Sequence, residues 1–335
     1  MDTEVGGMMN QFKVIAADID GTLCMKGEDL MPLTRSAIKK LHAEGVKFGL
    51  ATGRPVDSRV LSYAEKWNLG FPFDFAIGMN GGELYDLKTN ATEKYYLLSK
   101  ENIRKILAFL MPYDINAIVY VDGYEEVRCL KMDDFMISSK ARNKSHVIVG
   151  GIDTLAEFDT GKVEVQFKGE MRDEMLKVVE ANQNPAWIMT QTYFDEHHCT
   201  FEFQDPRVNK GVGLEKYCER YGIPMEDVLA FGDQENDIGL MKSAGCGVCL
   251  SNGADLTKSL AKAITEEIHR GNRIDTTTKL RGVIERALDF LPEKEKQETV
   301  KKTCQRTFQA LRIDVNHEFE VLYEFMEKLP GALKP

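Results

Sequence analysis

Two aspartates separated by one residue, Asp18 and Asp20, lie in the run DIDGT directly after an apolar segment. One carboxylate of such a pair can stay ionised and act as a nucleophile, while the other carries a proton and acts as a general acid. Gly21 permits a tight turn in this run, and the hydroxyl of Thr22 can hydrogen-bond to that turn. The pattern predicts covalent catalysis in which one of these two aspartates is the nucleophile and the other is the acid–base group.

The same D-x-D-G spacing also occurs in calcium-binding loops. A loop of that kind needs further oxygen ligands in alternation and a glutamate about twelve positions along the loop. Glu28 and Asp29 follow nearby, but the alternation of oxygen-bearing side chains is missing. The sequence therefore favours the catalytic interpretation.

Three further motifs supply matching chemistry: Thr52 in ATGRP, Lys210 in NKG and Asp233 in GDQEND. The hydroxyl and loop amides at Thr52 can bind phosphoryl oxygens, and the ammonium group of Lys210 can offset their charge. Asp233 supplies another carboxylate, and an amide, Asn236, and a further acid, Asp237, follow it closely in the sequence. Each residue alone is compatible with an ordinary surface position, so the prediction depends on their joint occurrence.

Short apolar runs alternate with helical segments around these motifs. Residues 12–17 and 46–52 are typical of buried parallel strands, and residues 34–44 between them have helical apolar spacing. The alternation returns later, with a helix over residues 210–221 and a strand over residues 228–232. Parallel strands joined by helices place their carboxyl ends at one edge of a sheet, where ligands bind. We expect an α/β fold with a doubly wound, Rossmann-like parallel sheet.

The middle of the chain, residues 83–202, has a different pattern. Its predicted strands come in adjacent pairs, with turns near residues 122–123 and 195–196, and helices lie between the pairs. An inserted α+β cap domain with an antiparallel sheet accounts for this clustering. The chain thus divides into a core in two pieces, the cap and a helical extension: residues 1–82 and 203–280, 83–202, and 281–335.

Composition narrows the classes of function. A formal net charge of −10 argues against a nucleic-acid or anionic-membrane partner, because both are polyanions. No stretch approaches the roughly 20 apolar residues of a membrane-spanning helix, and the first residues do not resemble a secretory signal. The C-x-x-C pair Cys246 and Cys249 is better explained by a short buried strand than by a metal or redox site. We expect a cytoplasmic protein.

Taken together, the motifs DIDGT, ATGR, NKG and GDQEND resemble the signature loops of the haloacid dehalogenase-like superfamily, in particular its Cof-like hydrolases with a large α+β cap. The resemblance covers about residues 13–275. It implies a Mg²⁺-dependent phosphatase that hydrolyses phosphate monoesters of small metabolites through an aspartyl-phosphate. Sugar phosphates, pyridoxal phosphate and flavin-pathway phosphates all stay open as substrates. A phosphomutase on the same core, and a non-catalytic scaffold that binds phosphate or RNA, are the alternatives.

The resemblance also implies a role for each motif residue. Asp18 attacks phosphorus, and Asp20 protonates the leaving oxygen and then activates water. Thr52 and Lys210 hold the transferring phosphoryl group. Five residues are assigned to the metal or its support: Asp18, the backbone carbonyl of Asp20, Asp233, Asn236 and Asp237. Six residues are assigned to the substrate: Thr52, Gly53, Arg54, Asn80, Gly81 and Lys210.

The last part of the chain does not fit such a hydrolase. Residues 308–329 carry apolar side chains at steps of three and four, typical of one face of a long helix. The run RTFQALRIDVNHE resembles bacterial ribosomal RNA cytosine methyltransferases, over roughly residues 303–335, with a second candidate for its beginning near Thr276. The Gly-rich region on which methyl-donor binding depends in that family is missing, so we expect a methyltransferase fragment without methyl transfer. Its apolar face is expected to pack on the body or to mediate self-association.

Overall fold

The structure, a computed structural model, describes residues 12–25 and 28–265. Within these ranges the chain forms an eight-stranded sheet and a six-stranded sheet. The strands are β1 (Val14–Ala17), β2 (Lys47–Ala51), β3 (Phe75–Gly78), β4 (Glu83–Asp86), β5 (Ala91–Lys94), β6 (Asn116–Asp122), β7 (Glu126–Cys129), β8 (His146–Val149), β9 (Val163–Lys168), β10 (Ile188–Phe194), β11 (His198–Gln204), β12 (Val228–Gly232), β13 (Cys246–Leu250) and β14 (Ala263–Thr265).

Ten helices accompany these strands in the described ranges. They are α1 (Pro32–Ala43), α2 (Ser58–Leu61), α3 (Tyr63–Lys66), α4 (Lys100–Leu110), α5 (Asp134–Asn143), α6 (Ile152–Leu155), α7 (Arg172–Ala181), α8 (Lys210–Tyr221), α9 (Ile238–Ser243) and α10 (Asp255–Leu260). No helix of the described part is long and apolar enough to cross a membrane.

The first sheet has the order β14-β13-β12-β1-β2-β3-β4-β5. Strands β14 to β3 in this order are parallel, and β4 and β5 add at the edge as antiparallel strands. Strand β1 is buried on both faces: Ile15 packs into the cluster that includes Ile38 of α1, and Val14 into the cluster that includes Leu214 of α8. This two-sided burial is the reason for the continuous apolar run, and the predicted α/β core is confirmed.

The second sheet forms the cap and has the order β10-β11-β9-β6-β7-β8. The two predicted hairpins are present as the antiparallel pairs β6–β7 and β10–β11. One face of the sheet packs on helices α4 and α7 through a large apolar cluster. The cap sheet is antiparallel, as predicted, except at β8, which runs parallel to β7 because α5 crosses over between them.

The cap begins later than the sequence pattern indicated. Residues 83–94 form β4 and β5, which continue the first sheet next to β3, so the second sheet starts only after α4. At the other boundary β11 runs to Gln204, two residues past the predicted end at residue 202. The predicted helical extension over residues 281–335, with its self-association face, lies outside the described residues.

The C-x-x-C pair lies in β13, as the buried-strand interpretation predicted. Cys246 and Cys249 are both free thiols. Burial raises the pKa of Cys246 to about 11 and that of Cys249 to about 12, so both thiols stay protonated near neutral pH. Neither is suited to nucleophilic or redox chemistry in this state.

Candidate active site

The four sequence motifs meet at one edge of the first sheet. Three of them follow the carboxyl ends of β1, β2 and β12, and β1 lies between the other two strands. The fourth begins α8, where the side chain of Asn209 caps the helix by accepting a hydrogen bond from the N–H of Val212 at 3.2 Å. The topology thereby brings together loops that are far apart in the sequence.

Lys210 stands at the centre of this edge and is fully buried. Its Nζ donates to Oδ1 of Asp18 and to Oδ1 of Asp237, each at 2.6 Å. Burial disfavours the ammonium form, but the two carboxylates more than offset this and raise the pKa of Lys210. The lysine is therefore a fixed positive charge directly beside Asp18.

Asp233 and Asp237 are held in place by the loop that follows β12. Oδ2 of Asp237 accepts the backbone N–H groups of Asp233 at 2.9 Å and of Gln234 at 3.0 Å. Asp233 accepts the hydroxyl of Thr22 at 3.1 Å and the side-chain amide of Gln234 at 3.0 Å. Thr22 therefore links the loop after β1 to the loop after β12, a partner that its sequence position did not reveal.

Gly21 is required where these two loops touch. Its φ of +92° lies in the region that favours glycine, as the sequence predicted. A Cβ at this position would also lie only 2.4 Å from Oδ2 of Asp233. A side chain at position 21 would therefore have two effects: it would strain the backbone, and it would displace Asp233.

Asp18, Asp233 and Asp237 offer carboxylate oxygens that all lie within 4.8 Å of one another. All three residues are buried, and Lys210 pairs with Asp18 and Asp237 but not with Asp233, so the ionised cluster carries excess negative charge. Hard oxygen donors with excess negative charge suit a divalent cation such as Mg²⁺. The residues present fit the predicted metal site.

Burial raises the pKa of two carboxylates in this cluster, those of Asp18 and Asp233. Burial raises the pKa of Asp18 to about 7, with Asp237 and Asp233 contributing and Lys210 opposing the rise. Burial also raises the pKa of Asp233. A bound divalent cation favours the carboxylate forms and so opposes both shifts.

Asp20 lies at the mouth of the site, with its side chain 35 % exposed. Its Oδ2 accepts from Nη2 of Arg54 at 2.5 Å, and Nη1 of Arg54 donates to the hydroxyl of Tyr63 at 2.7 Å. Arg54, predicted as a substrate contact, thus fixes the predicted acid–base residue in this structure. Thr52 is buried, and its hydroxyl accepts a hydrogen bond from the backbone N–H of Arg54 at 3.3 Å.

Asn80 and Gly81, also predicted as substrate contacts, form a turn with positive φ of 56° and 109°. A Cβ on Gly81 would lie 1.9 Å from the carbonyl oxygen of Asn209, so glycine lets this turn pack against the start of α8. The side chain of Asn80 donates to Glu202 at 3.3 Å and accepts from Asn236 at 3.2 Å. Asn236, assigned to the metal site, therefore reaches Asn80 through its side-chain amide.

Two buried cap residues escaped the sequence analysis. Nζ of Lys162 donates to Oε1 of Glu202 at 2.5 Å and to the carbonyl oxygen of Gly53 at 3.4 Å. The signal was present in the sequence, because Lys162, Glu164 and Gln166 alternate with apolar residues that face the cap core. Such alternation marks a polar face on a strand.

Comparison with known proteins agrees with this site. Residues 15–272 match the family of haloacid dehalogenase-like hydrolases. The chain belongs to this family. A relative from Bacillus subtilis, the 5-amino-6-(5-phospho-D-ribitylamino)uracil phosphatase YitU, is 26 % identical over 253 residues, covering 75 % of this chain and 91 % of the relative. The predicted family and its phosphatase class are thereby confirmed.

The fold agrees with solved members of the family. A haloacid dehalogenase-like hydrolase from Bacteroides thetaiotaomicron superposes with a TM-score of 0.65 at 20 % identity. The superposition covers 76 % of this chain and 94 % of that protein. The core and the cap of this hydrolase thus both have counterparts in a solved structure.

The end of the chain matches a second family. Residues 252–335 match the MraW methylase family. Ribosomal RNA small subunit methyltransferase H 1 of Agathobacter rectalis is 81 % identical over 78 residues, which are 23 % of this chain and 22 % of the methyltransferase. The chain thus spans less than a quarter of that relative. The predicted methyltransferase fragment is confirmed, and its match begins further upstream than residue 303.

Proposed function

We propose that this hydrolase is a Mg²⁺-dependent phosphatase that cleaves phosphate monoesters of small metabolites through a phosphorylated Asp18. The observation that carries the proposal is the buried contact of Asp18 with Lys210, beside a carboxylate cluster that fits a divalent cation. A phosphate monoester dianion repels an attacking carboxylate, so nearby positive charge is needed to offset that repulsion.

The residues divide the reaction between them. An oxygen of Asp18 forms a bond to phosphorus while the bond from phosphorus to the leaving oxygen breaks, and Asp20 gives its proton to that oxygen. Lys210 and the loop at Thr52 hold the phosphoryl oxygens during transfer. Water then attacks the aspartyl-phosphate, Asp20 takes the water's proton, and phosphate leaves with Asp18 restored.

The cation would be held by Asp18, Asp233 and the backbone carbonyl of Asp20. When bound, Mg²⁺ supplies Lewis-acid stabilisation of the phosphoryl oxygens. Asp237 would support these ligands without being one of them, because its two oxygens already accept hydrogen bonds from Lys210 and from two backbone N–H groups. The side-chain amide of Asn236, in the same loop, donates to Asn80.

The cap face favours a leaving group rich in hydroxyl or amine groups. Glu164, on the same strand face as Lys162, accepts the hydroxyl of Tyr120 at 2.8 Å and the amide of Gln166 at 2.6 Å. Lys162 is already paired with Glu202, so a second anionic group on the substrate would meet carboxylates here. Sugar phosphates, and phosphorylated ribitylamino compounds like the one in the relative's name, would bring hydroxyl and amine groups to this face and so avoid that repulsion.

A phosphate-release assay tests the proposal. The purified protein is incubated with p-nitrophenyl phosphate and with a panel of sugar, ribityl, pyridoxal and carboxylate-bearing phosphate esters, with Mg²⁺ and with a chelator. We expect Mg²⁺-dependent release, fastest from esters of neutral polyols. Absence of release from every ester in the presence of Mg²⁺ contradicts the proposal, and transfer of the phosphoryl group to another hydroxyl without net release identifies a phosphomutase instead.

A further inference from the structure

Two buried side chains of the cap connect catalytic loops of the core. We call Lys162 and Glu202 the cap bridge. Nζ of Lys162 lies 2.5 Å from Oε1 of Glu202 and 3.4 Å from the carbonyl oxygen of Gly53. On its other side, Oε2 of Glu202 accepts from Nδ2 of Asn80 at 3.3 Å. The bridge therefore touches the loop after β2 and the turn after β3 at the same time.

The bridge extends to the third catalytic loop through Asn80. Oδ1 of Asn80 accepts from Nδ2 of Asn236, which lies beside Asp237 in the loop that follows β12. The backbone N–H of Asn80 also donates to the carbonyl of Thr52 at 3.2 Å. A continuous path of hydrogen bonds thus runs from the cation-binding loop of the core through the cap and back to the phosphate-binding loop.

In the core, this path ends at Gly53, whose neighbours in the sequence have direct roles in the proposed catalysis. Gly53 lies between Thr52 and Arg54, and Arg54 holds Asp20. A Cβ on Gly53 would lie 2.9 Å from Oδ1 of Asn80, so the two loops are already in close contact. A small displacement of the Gly53 carbonyl therefore moves both the phosphate-binding loop and the arginine that orients Asp20.

Stability alone is a poor explanation for the bridge. Lys162 is 5 % exposed and Glu202 is 8 % exposed. Removing two charges from water costs free energy that their mutual attraction often does not recover, so a buried ion pair is weak support for a fold. The pair does fix geometry, because each partner is held by a charged neighbour and by a core loop.

We propose that Lys162 and Glu202 are positioning residues for phosphoryl transfer, an inference that rests on the proposed phosphatase function. With the cap over the core, the bridge holds the Gly53 carbonyl and Asn80 in the arrangement that catalysis needs. Closure of the cap thereby completes the active site as well as covering it. The bridge acts through these two groups and need not contact the reacting atoms.

The proposal predicts a loss in turnover with little change in substrate binding. Displacement of catalytic groups by about 1 Å can cost on the order of a hundredfold in rate. We therefore expect Glu202→Gln and Lys162→Met each to lower kcat for p-nitrophenyl phosphate by about 10–100-fold, with KM within about threefold of the wild type. Because the two residues act as one unit, the double variant should lose no more than about the larger single loss.

A matched control comes from another ion pair of the cap. Glu126 pairs with Arg128 at 3.0 Å, and Arg128 in turn contacts Glu157 and the carbonyl of Thr154, all within the cap. Glu126→Gln removes a cap carboxylate without touching the catalytic loops. This variant should keep the kcat of the wild type.

The outcomes separate this inference from the proposed function. A wild-type protein without Mg²⁺-dependent turnover overturns the phosphatase itself, before any variant is compared. If the wild type turns over and the folded bridge variants keep its kcat, or if the two single losses multiply in the double variant, the positioning role is wrong. Should a single variant fail to fold, the Lys162→Met/Glu202→Gln double variant carries the test, since it removes both charges of the ion pair together.

Discussion

The catalytic residues are oriented by contacts that cross large distances in the sequence. Lys210 and Asp18 are 192 positions apart, and Thr22 and Asp233 are 211 positions apart, yet each pair is joined by a direct hydrogen bond. Every such contact fixes a side chain of one loop against another loop. Preorganisation of this kind lets charged groups stabilise a transition state without moving.

At this scale the sequence indicated which residues come together at the buried centre, but not the partners of the residues at the mouth of the site. Asp18, Lys210 and Asp233 were predicted from their motifs, and the structure brings them together. Arg54 and Asn80 were predicted to contact substrate, but they hold Asp20 and Glu202 here. A motif fixes the backbone position from which a long side chain extends. The partner of that side chain depends on which distant element packs against it.

Gly21 allows a sharp test of how the two carboxylate loops fit together. Gly21→Ala should destabilise the protein by about 1–3 kcal/mol and weaken Mg²⁺ activation, because the new Cβ would clash with Asp233 in a strained backbone. Urea unfolding and the Mg²⁺ dependence of turnover measure the two effects.

Gly45 is the matched control for this substitution. Its φ of +91° is nearly that of Gly21, but a Cβ there would meet nothing within 4 Å. Gly45→Ala should cost only about 1 kcal/mol and leave Mg²⁺ activation unchanged. If both variants show the same Mg²⁺ dependence, the close approach to Asp233 is not the reason why glycine is required at position 21.

Among the elements, the sequence predicted most strands and helices but not the sheet to which every strand belongs. Apolar runs and hairpin turns are local signals, so β1, β12 and the two cap hairpins were predicted close to their observed places. Strands β4 and β5 form a hairpin whose own residues do not indicate its neighbour. Their pairing with β3 is a non-local contact, and the predicted cap boundary at residue 83 was therefore too early.

The hairpin of β4 and β5 is tied to α8 through Asp86, which is almost fully buried. Asp86 accepts from Arg220 at 2.8 Å and from the hydroxyl of Tyr221 at 2.8 Å. Burial opposes ionisation, but these hydrogen bonds and the N–H of Lys88 outweigh it and lower the pKa of Asp86 below 3.8. The carboxylate thereby links an edge of the core sheet to the helix that starts at Lys210.

A lowered pKa in the folded state has a defined pH signature. The stabilisation from Asp86 is fully present above its unfolded pKa of about 3.8 and is lost as pH falls through the lower folded pKa. Asp86→Asn should reduce the free energy of unfolding near neutral pH by about 1–3 kcal/mol and flatten its decline in acid. Urea unfolding at a series of pH values checks this, and an acid profile parallel to that of the wild type would contradict it.

On the scale of the whole molecule, two family matches share one chain and overlap over residues 252–272. The phosphatase relative is covered over 91 % of its length, and the methyltransferase relative over 22 %. Every residue assigned here to catalysis or to the cation lies before residue 238. The catalytic body is therefore expected to work independently of the final segment.

Deletion of the residues after Asp289 tests this separation. The shortened protein should keep kcat for p-nitrophenyl phosphate within about twofold of the full chain, because all assigned residues and the matched hydrolase region are retained. The same deletion in an Asp18→Asn background is the control for residual phosphatase from contaminants. A shortened protein that folds but has lost all turnover would show that the final segment contributes to catalysis.

Covalent phosphorylation of Asp18 is the central claim, and acid-quench trapping measures it most directly. The enzyme is mixed with a ³²P-labelled monoester and Mg²⁺, quenched in acid within milliseconds, and the labelled peptide is identified. We expect hydroxylamine-sensitive label on the peptide that contains Asp18, and none in Asp18→Asn. Undiminished phosphate release by Asp18→Asn, or turnover by the wild type with label on another residue, would contradict the mechanism.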